Sequence, residues 1–369
     1  MERVAESGQT TKFVTMDGVR GVAALCVMLY HFTQRADLRL FPSGSVAVDI
    51  FFCLSGFVIA HSYEARLDSG LTLLGFARIR LIRLYPMYLL GLALGIADYL
   101  LSLRAGASGN DVARTVLVGL YGLLFLPTFP RFVIGTGADK TDHVLYPFNG
   151  PTWSLFFELA CNGLFVALRP RGRALVLLLC ALGAWFVATT LIYDGPCGWG
   201  SANALGGVPR ALFSFYLGTA LWRLWRRGAL RAPSGMAAIL PPALTLIVAG
   251  APDSTAGFIV TVLLAVPAIV ALATAEPVSL WLRRAYGALG EISYPLYAVH
   301  LPALGLTRLA VNWASGAPLD APAPFAAKAA LAVGLVFGCL ALSRLYDRPA
   351  RRALTARLGP ASRLTRRCA

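Results

Sequence analysis

The residues of this chain that could do chemistry are few, and most lie inside apolar blocks. Asp17, Arg20 and His31 fall within one such block, with Arg20 and His31 eleven residues apart. On a helix that separation is close to three turns, so both would face one side, about 16 Å apart along the axis. Ionisable groups inside a membrane span are costly to hold and mark function by default. Gly21 and Ala24 lie beside the same stripe, where small side chains let a neighbouring helix come close. Taken singly, each residue also has a plainer reading, with Arg20 snorkelling to one interface and His31 reaching the other.

Glu158 closes the run Pro151-Thr152-Trp153-Ser154-Leu155-Phe156-Phe157-Glu158, about two turns into a second helix. A lone carboxylate at that depth needs a cationic or hydrogen-bonding partner. His31, at a similar depth, is the economical candidate, because a carboxylate would hold the imidazole in one tautomer and support its charged form. A helix–helix hydrogen bond of structural purpose is the other reading. Arg78, Arg80 and Arg83 precede Leu84-Tyr85-Pro86. Grouped guanidinium ions bind phosphates bidentately, whether of lipid or of a phosphate-rich soluble ligand, and position alone does not separate the two. In Ser293-Tyr294-Pro295-Leu296-Tyr297-Ala298-Val299-His300, Tyr297 and His300 stand three apart and share a helix face. Asp49 begins another block, before Phe51-Phe52-Cys53-Leu54-Ser55-Gly56-Phe57, where it would cap the helix or pair with a neighbour. Ser55-Gly56 offers a close-packing surface.

The elements that must position these groups are long apolar helices. Of 369 residues, 57% are hydrophobic and only 14% charged, about half the charge with which a soluble domain covers its surface. Apolar segments fall at 18–36, 45–63, 84–104, 112–128, 151–168, 174–191, 209–225, 234–250, 256–274, 288–311 and 323–344. They lack the alternation of barrel strands, so an all-α, polytopic bundle is expected. Placing Arg3 and Lys12 inside puts every later Arg cluster inside only if 112–128 does not cross in full. About ten spans follow, with both termini cytoplasmic and 112–128 re-entrant or lying along the outer face. Residues 66–83 look like an amphipathic helix on the cytoplasmic surface. The domain expectation is one membrane domain over 1–346 and a basic cytoplasmic tail over 347–369.

Several function classes recede. The net charge of +15 sits at the ends of apolar blocks, which reports topology rather than a nucleic-acid face. The seven Cys are scattered, mostly within apolar blocks, and imply no disulfide framework. The four His are too dispersed for a zinc motif, so no metal is expected. A cleaved leader is not expected either, because Arg20 interrupts the first apolar block and no small-residue cleavage site follows it.

Five motifs, in order, carry a resemblance: Asp17-Gly18-Val19-Arg20-Gly21 through Tyr30-His31-Phe32; Val48-Asp49-Ile50-Phe51-Phe52-Cys53-Leu54-Ser55-Gly56-Phe57; Arg80-Leu81-Ile82-Arg83-Leu84-Tyr85-Pro86; Trp153-Ser154-Leu155 with Glu158; and Ser293-Tyr294 with Tyr297 and His300. Together the chain resembles the acyltransferase 3 family over nearly its whole length, in the form without an appended hydrolase-like domain. Two positions depart from that pattern, Ala47 where Gly is usual and Asp347 where Glu is usual, and neither is a proposed catalytic group.

The resemblance implies a multi-pass protein of the bacterial cytoplasmic membrane that transfers an acyl group, acetyl foremost, from cytoplasmic acyl-CoA to a hydroxyl. The acceptor it implies is a surface or exported saccharide, with a secondary metabolite as runner-up. His31 would be the catalytic histidine with Arg20 in the essential set, and Arg80 and Arg83 would serve the acyl-CoA side. Asp17, Asp49, Trp153, Ser154, Ser293, Tyr297 and His300 remain polar candidates for substrate contact or structure. No permanently bound cofactor is expected. A transporter or flippase, which also buries Arg, Glu and His along a polar path, is the rival class. Oligomeric state is left open.

Overall fold

In the computed structural model, residues 12–34, 39–104, 112–129, 144–232 and 235–358 are described. Arg3, residues 130–143 with His143, and the tail beyond 358 lie outside them. The described residues are helical, with no β-strand and one isolated bridge between Val144 and Gly200. In chain order the helices are α1 Val14–Thr33, α2 Val46–Asp68, α3 Leu73–Arg104, α4 Val112–Leu123, α5 Thr152–Leu168, α6 Arg173–Ile192, α7 Ala204–Arg226, α8 Leu240–Gly250, α9 Thr255–Leu272, α10 Leu280–Ser315 and α11 Phe325–Leu358.

Five of these are long and apolar enough to cross a membrane: α2, α3, α6, α9 and α11. The reason that α1, α7 and α10 are not among them is chemical. They carry Asp17, Arg20 and His31, then Arg210, then Glu291 and His300, and each such group lowers the apolar character of its helix. The segment expected not to cross in full forms α4, an apolar helix of 12 residues, and α5 and α8, of 17 and 11 residues, are likewise shorter than the five. The C-terminal carbonyls of α4 at Gly122 and Leu123 are capped by the hydroxyls of Tyr88 and Tyr85. The expected surface helix over 66–83 is not a separate element. α2 runs on to Asp68, and α3 begins at Leu73 and continues through Pro86 without a break.

Apolar residues sort the helices into two groups. One core joins α2, α5, α6, α7 and α9 with Met16 and Val19 of α1 and Phe76 of α3, and two adjoining clusters draw in the rest of α1 and α3 with α10 and α11. α2 is the inner helix, with 72% of its apolar window buried. The apolar window of α11 is only 6% buried, leaving side chains such as Val333 and Phe337 facing outward. Apolar side chains left unburied along a whole helix suit contact with lipid tails.

Small residues set the closest approaches. A Cβ built on Gly56 of α2 would stand 1.8 Å from the carbonyl oxygen of Phe215 on α7, and one on Gly218 of α7 equally close to that of Cys53 on α2. Neither site has room for any side chain, so the two backbones touch. Gly56→Leu is expected to destabilise the fold by about 1–3 kcal/mol or more through overpacking. A melting curve in detergent that matches the parent protein would refute this. Gly21 of α1 abuts Leu289 of α10 in the same manner, as the small-residue stripe anticipates. Prolines shape the remaining bends. Pro267 and Pro349 each follow a π-helical turn, at Thr261–Ala265 and Ser343–Asp347. There the wider turn absorbs the missing amide and the ring's bulk.

Candidate functional site

Where the two groups of helices meet they enclose a cavity of about 210 Å³. Its wall combines Arg20 of α1, Ser55 of α2, Arg80 and Arg83 of α3, Ser154 and Glu158 of α5, residues Gly290 to Tyr297 of α10, and the end of α11. Five arginines face three carboxylates there: Arg20, Arg80, Arg83, Arg348 and Arg351 against Glu158, Glu291 and Asp347.

Glu158 does not meet His31. Its Oε1 accepts from Arg80 Nη2 at 2.6 Å and from Ser55 Oγ at 2.9 Å. Depth alone suggested His31, but the partner comes from α3, whose Arg80 is buried and turned toward α5. A cation so deep needs a fixed anion, and Glu158 supplies it. Arg80 is thus tied to Glu158, although its Nε finds no acceptor. Arg83 lines the cavity with no hydrogen bond or ion pair among the described residues. Arg78 is exposed and outside the cavity lining, so of the three arginines expected together the cavity wall holds Arg80 and Arg83.

His31 pairs instead with His300. The rings lie 5.1 Å apart, with His300 Nε2 at 3.1 Å from His31 Nδ1. The surrounding bonds assign the protons. His300 Nδ1 lies 3.1 Å from the carbonyl oxygens of both Leu296 and Tyr297, and a carbonyl only accepts, so this nitrogen carries hydrogen. In the neutral ring His300 Nε2 is then an acceptor. His31 Nδ1, 2.9 Å from the Val27 carbonyl and facing that acceptor, must be the donor. The lone pair of His31 is left on Nε2, on a side chain that is partly exposed, whereas His300 is fully buried. The orienting group of His31 is therefore a second histidine, three residues beyond Tyr297.

Tyr297 connects this pair to the cavity. Its hydroxyl is 2.6 Å from Ser154 Oγ and donates toward the Pro151 carbonyl at 3.2 Å, its ring crosses Phe51 edge-on at 5.5 Å, and its centroid is 6.0 Å from His300. Tyr297, Ser154 and Phe51 all line the cavity, so its inner end lies against the histidine pair. Ser293 is also in the wall, donating to the Gly290 carbonyl at 2.9 Å. Asp17 sits beyond the lining, paired with Lys12 at 3.2 Å and Arg20 at 3.5 Å.

Asp49 and Trp153 belong to a separate knot. Asp49, fully buried, is held by Arg210 of α7 through Nε at 3.0 Å and Nη2 at 2.7 Å. Arg210 also donates to the carbonyls of Cys197 and Ser45, and its guanidinium lies over Trp153 at 5.3 Å and Phe258 at 5.0 Å. Sequence reading missed Arg210. A lone Arg after Gly206-Gly207-Val208-Pro209, with no cluster around it, was the available signal.

His300 orients His31 through one hydrogen bond, so His300→Phe is expected to lower turnover about tenfold, the equivalent of roughly 1.4 kcal/mol. His300→Gln, which can still offer an acceptor, should retain more. Steady-state rates that rank Phe at or above Gln would remove His300 from this role.

A bundle of this kind, apolar outside and polar at its centre, is a multi-pass membrane protein. A family model described as an acyltransferase domain, Acyl_transf_3, matches residues 13–344, and the chain belongs to the acyltransferase 3 family. The chain is 26% identical to "Acyltransferase MdmB" of Streptomyces mycarofaciens, with 94% of this chain and 93% of that protein covered. It is 39% identical over 163 residues to "Protein 2 in picA locus" of Rhizobium radiobacter, covering 42% of this chain and 81% of that protein. No solved structure matches the chain.

Proposed function

We propose that this acyltransferase moves an acyl group, acetyl foremost, from acyl-CoA entering at the cytoplasmic side to a hydroxyl of a surface or exported saccharide. The proposal includes about ten spans in a bacterial cytoplasmic membrane, both termini inside. One observation favours that orientation: Arg169, Arg171 and Arg223 gather on Glu64 and Asp68, so the basic ends of α2, α5, α6 and α7 lie at one end of the bundle.

The observation that carries the reading is the arginine-lined cavity ending at Tyr297 beside the His31–His300 pair. Coenzyme A bears its phosphates at the end opposite its thioester, so arginines suit the mouth and the thioester would point inward. His31 Nε2 takes the proton of the acceptor hydroxyl as that oxygen attacks the thioester carbonyl. The carbon–sulfur bond then breaks, and the departing thiolate of coenzyme A receives the proton back from His31. Tyr297, or Arg20, would donate to the oxyanion that develops on the carbonyl oxygen.

The test places the purified protein in liposomes with labelled acyl-CoA outside or inside and a saccharide acceptor on the opposite face. Labelled acceptor with stoichiometric release of coenzyme A supports the reading. Movement of the saccharide without coenzyme A release would replace it with a transporter. A second route, through an acyl ester on Ser154, is favoured by the 2.6 Å contact of Ser154 with Tyr297 at the cavity's inner end. Label retained on the protein after incubation with acyl-CoA alone would establish it over direct transfer.

A further inference from the structure

The last helix had been expected to yield to a basic tail at 347, yet its final turns form part of the cavity. α11 passes through the π turn Ser343–Asp347, where Asp347 is buried, and its next turn places Arg348 and Arg351 in the cavity wall that Arg83 of α3 also lines. Three contacts fix this segment. Tyr346 donates to the Pro86 carbonyl on α3 at 3.1 Å, Glu291 of α10 holds Arg344 and Arg348 at 3.0 Å each, and Asp347 holds Arg351. None of these makes the arginines neutral as a group. Arg83 has no acceptor among the described residues, and Arg351 Nε, though buried, has none either. Arg351 is only partly exposed, and the next residue, Arg352, points to solvent outside the lining.

We infer that Arg351, with Arg83 from the neighbouring α3, forms a clamp of two helices for the phosphates of the nucleotide part of the acyl-CoA donor. This rests on the donor assignment above and extends it to the end of α11. Two guanidinium groups on separate helices can each present paired N–H donors to one phosphate or to neighbouring phosphates. Asp347 holds Arg351 by one nitrogen and leaves others to turn toward an anion in the cavity. Arg348, anchored by Glu291, adds positive potential at the mouth without being freed from its carboxylate. The shared chemistry is an organic phosphate, so a phospholipid headgroup is the competing source.

Binding of coenzyme A to the full chain in detergent, followed by calorimetric titration, tests the clamp. Arg351→Gln is expected to weaken binding tenfold or more, Arg351→Lys to recover part of it, and Arg352→Gln to leave it unchanged. Melting curves of the unliganded variants report whether each has folded, and Arg83→Gln provides the second arm from α3. Parental affinity in folded Arg351→Gln would overturn the clamp while leaving the donor assignment standing. Failure of the parent protein itself to bind coenzyme A would overturn the assignment and the clamp with it. Phosphatidylglycerol micelles that displace coenzyme A from the parent, but not from Arg351→Gln, would assign Arg351 to lipid and overturn the clamp.

Discussion

His31→Ala is expected to reduce acyl transfer by about 10²–10⁴-fold, the range over which a positioned general base acts. The effect should fall on kcat, with the KM for acyl-CoA nearly unchanged, because His31 is not in the wall of the arginine-lined cavity. The physical case is the relay of hydrogen bonds. Backbone carbonyls hold the proton on His300 Nδ1, His300 Nε2 accepts from His31 Nδ1, and the basic lone pair is left on the partly exposed His31 Nε2. His31→Gln keeps polarity and size but has no basic nitrogen, so it should be as inactive as Ala. The measurement is turnover of labelled acyl-CoA by purified protein, paired with O-acyl content in a deletion strain complemented by each variant. Full restoration by His31→Ala would end the assignment of His31 as base.

Arg210→Met is expected to cost about 3–5 kcal/mol of stability. It leaves the carboxylate of Asp49, wholly enclosed, with no cation and only a long 3.5 Å contact from Ser214. It also removes the side-chain donor from the Cys197 carbonyl, one of the donors from the Ser45 carbonyl, and the cation from over Trp153 and Phe258. Asp49→Leu in the same chain should return much of the loss, because two apolar side chains of similar volume carry no desolvation penalty. Thermal unfolding in detergent, with the single and double variants side by side, reads the coupling. A double variant as unstable as the sum of the singles would show that the pair is not coupled, and that Arg210 acts through its carbonyl and aromatic contacts instead.

Much of the fold was legible because lipid imposes a simple rule on sequence. Long apolar blocks had to be helices, and the eleven blocks correspond to the eleven helices of the described residues. The distribution of arginine, which an eleventh span would have misplaced, led to the expectation that 112–128 does not cross in full, and α4 there is 12 residues long. Boundaries were less legible where charge lies on helix rather than loop. Arg78, Arg80 and Arg83 looked like the end of a surface segment, yet α3 runs through them, because Arg80 is buried against Glu158 and needs no water.

The site divides along the same line. Types and periodicity picked out His31, Arg20, Glu158, Tyr297 and His300, since buried polar groups are conspicuous in apolar helices and helical spacing shows which share a face. Spacing within one helix is silent about partners on another. Glu158 and His31 were expected at matched depths, yet Glu158 meets Arg80 and Ser55, and His31 meets His300. Arg210 was an isolated arginine until the touching backbones of α2 and α7 set it beside Asp49. By itself, then, the sequence determined a helical membrane protein and the side chains able to act within it, because hydrophobicity and helix period are local. Only the tertiary structure decided which of those side chains meet, because a hydrogen bond across helices depends on their rotation and depth, and neither is written in any one helix.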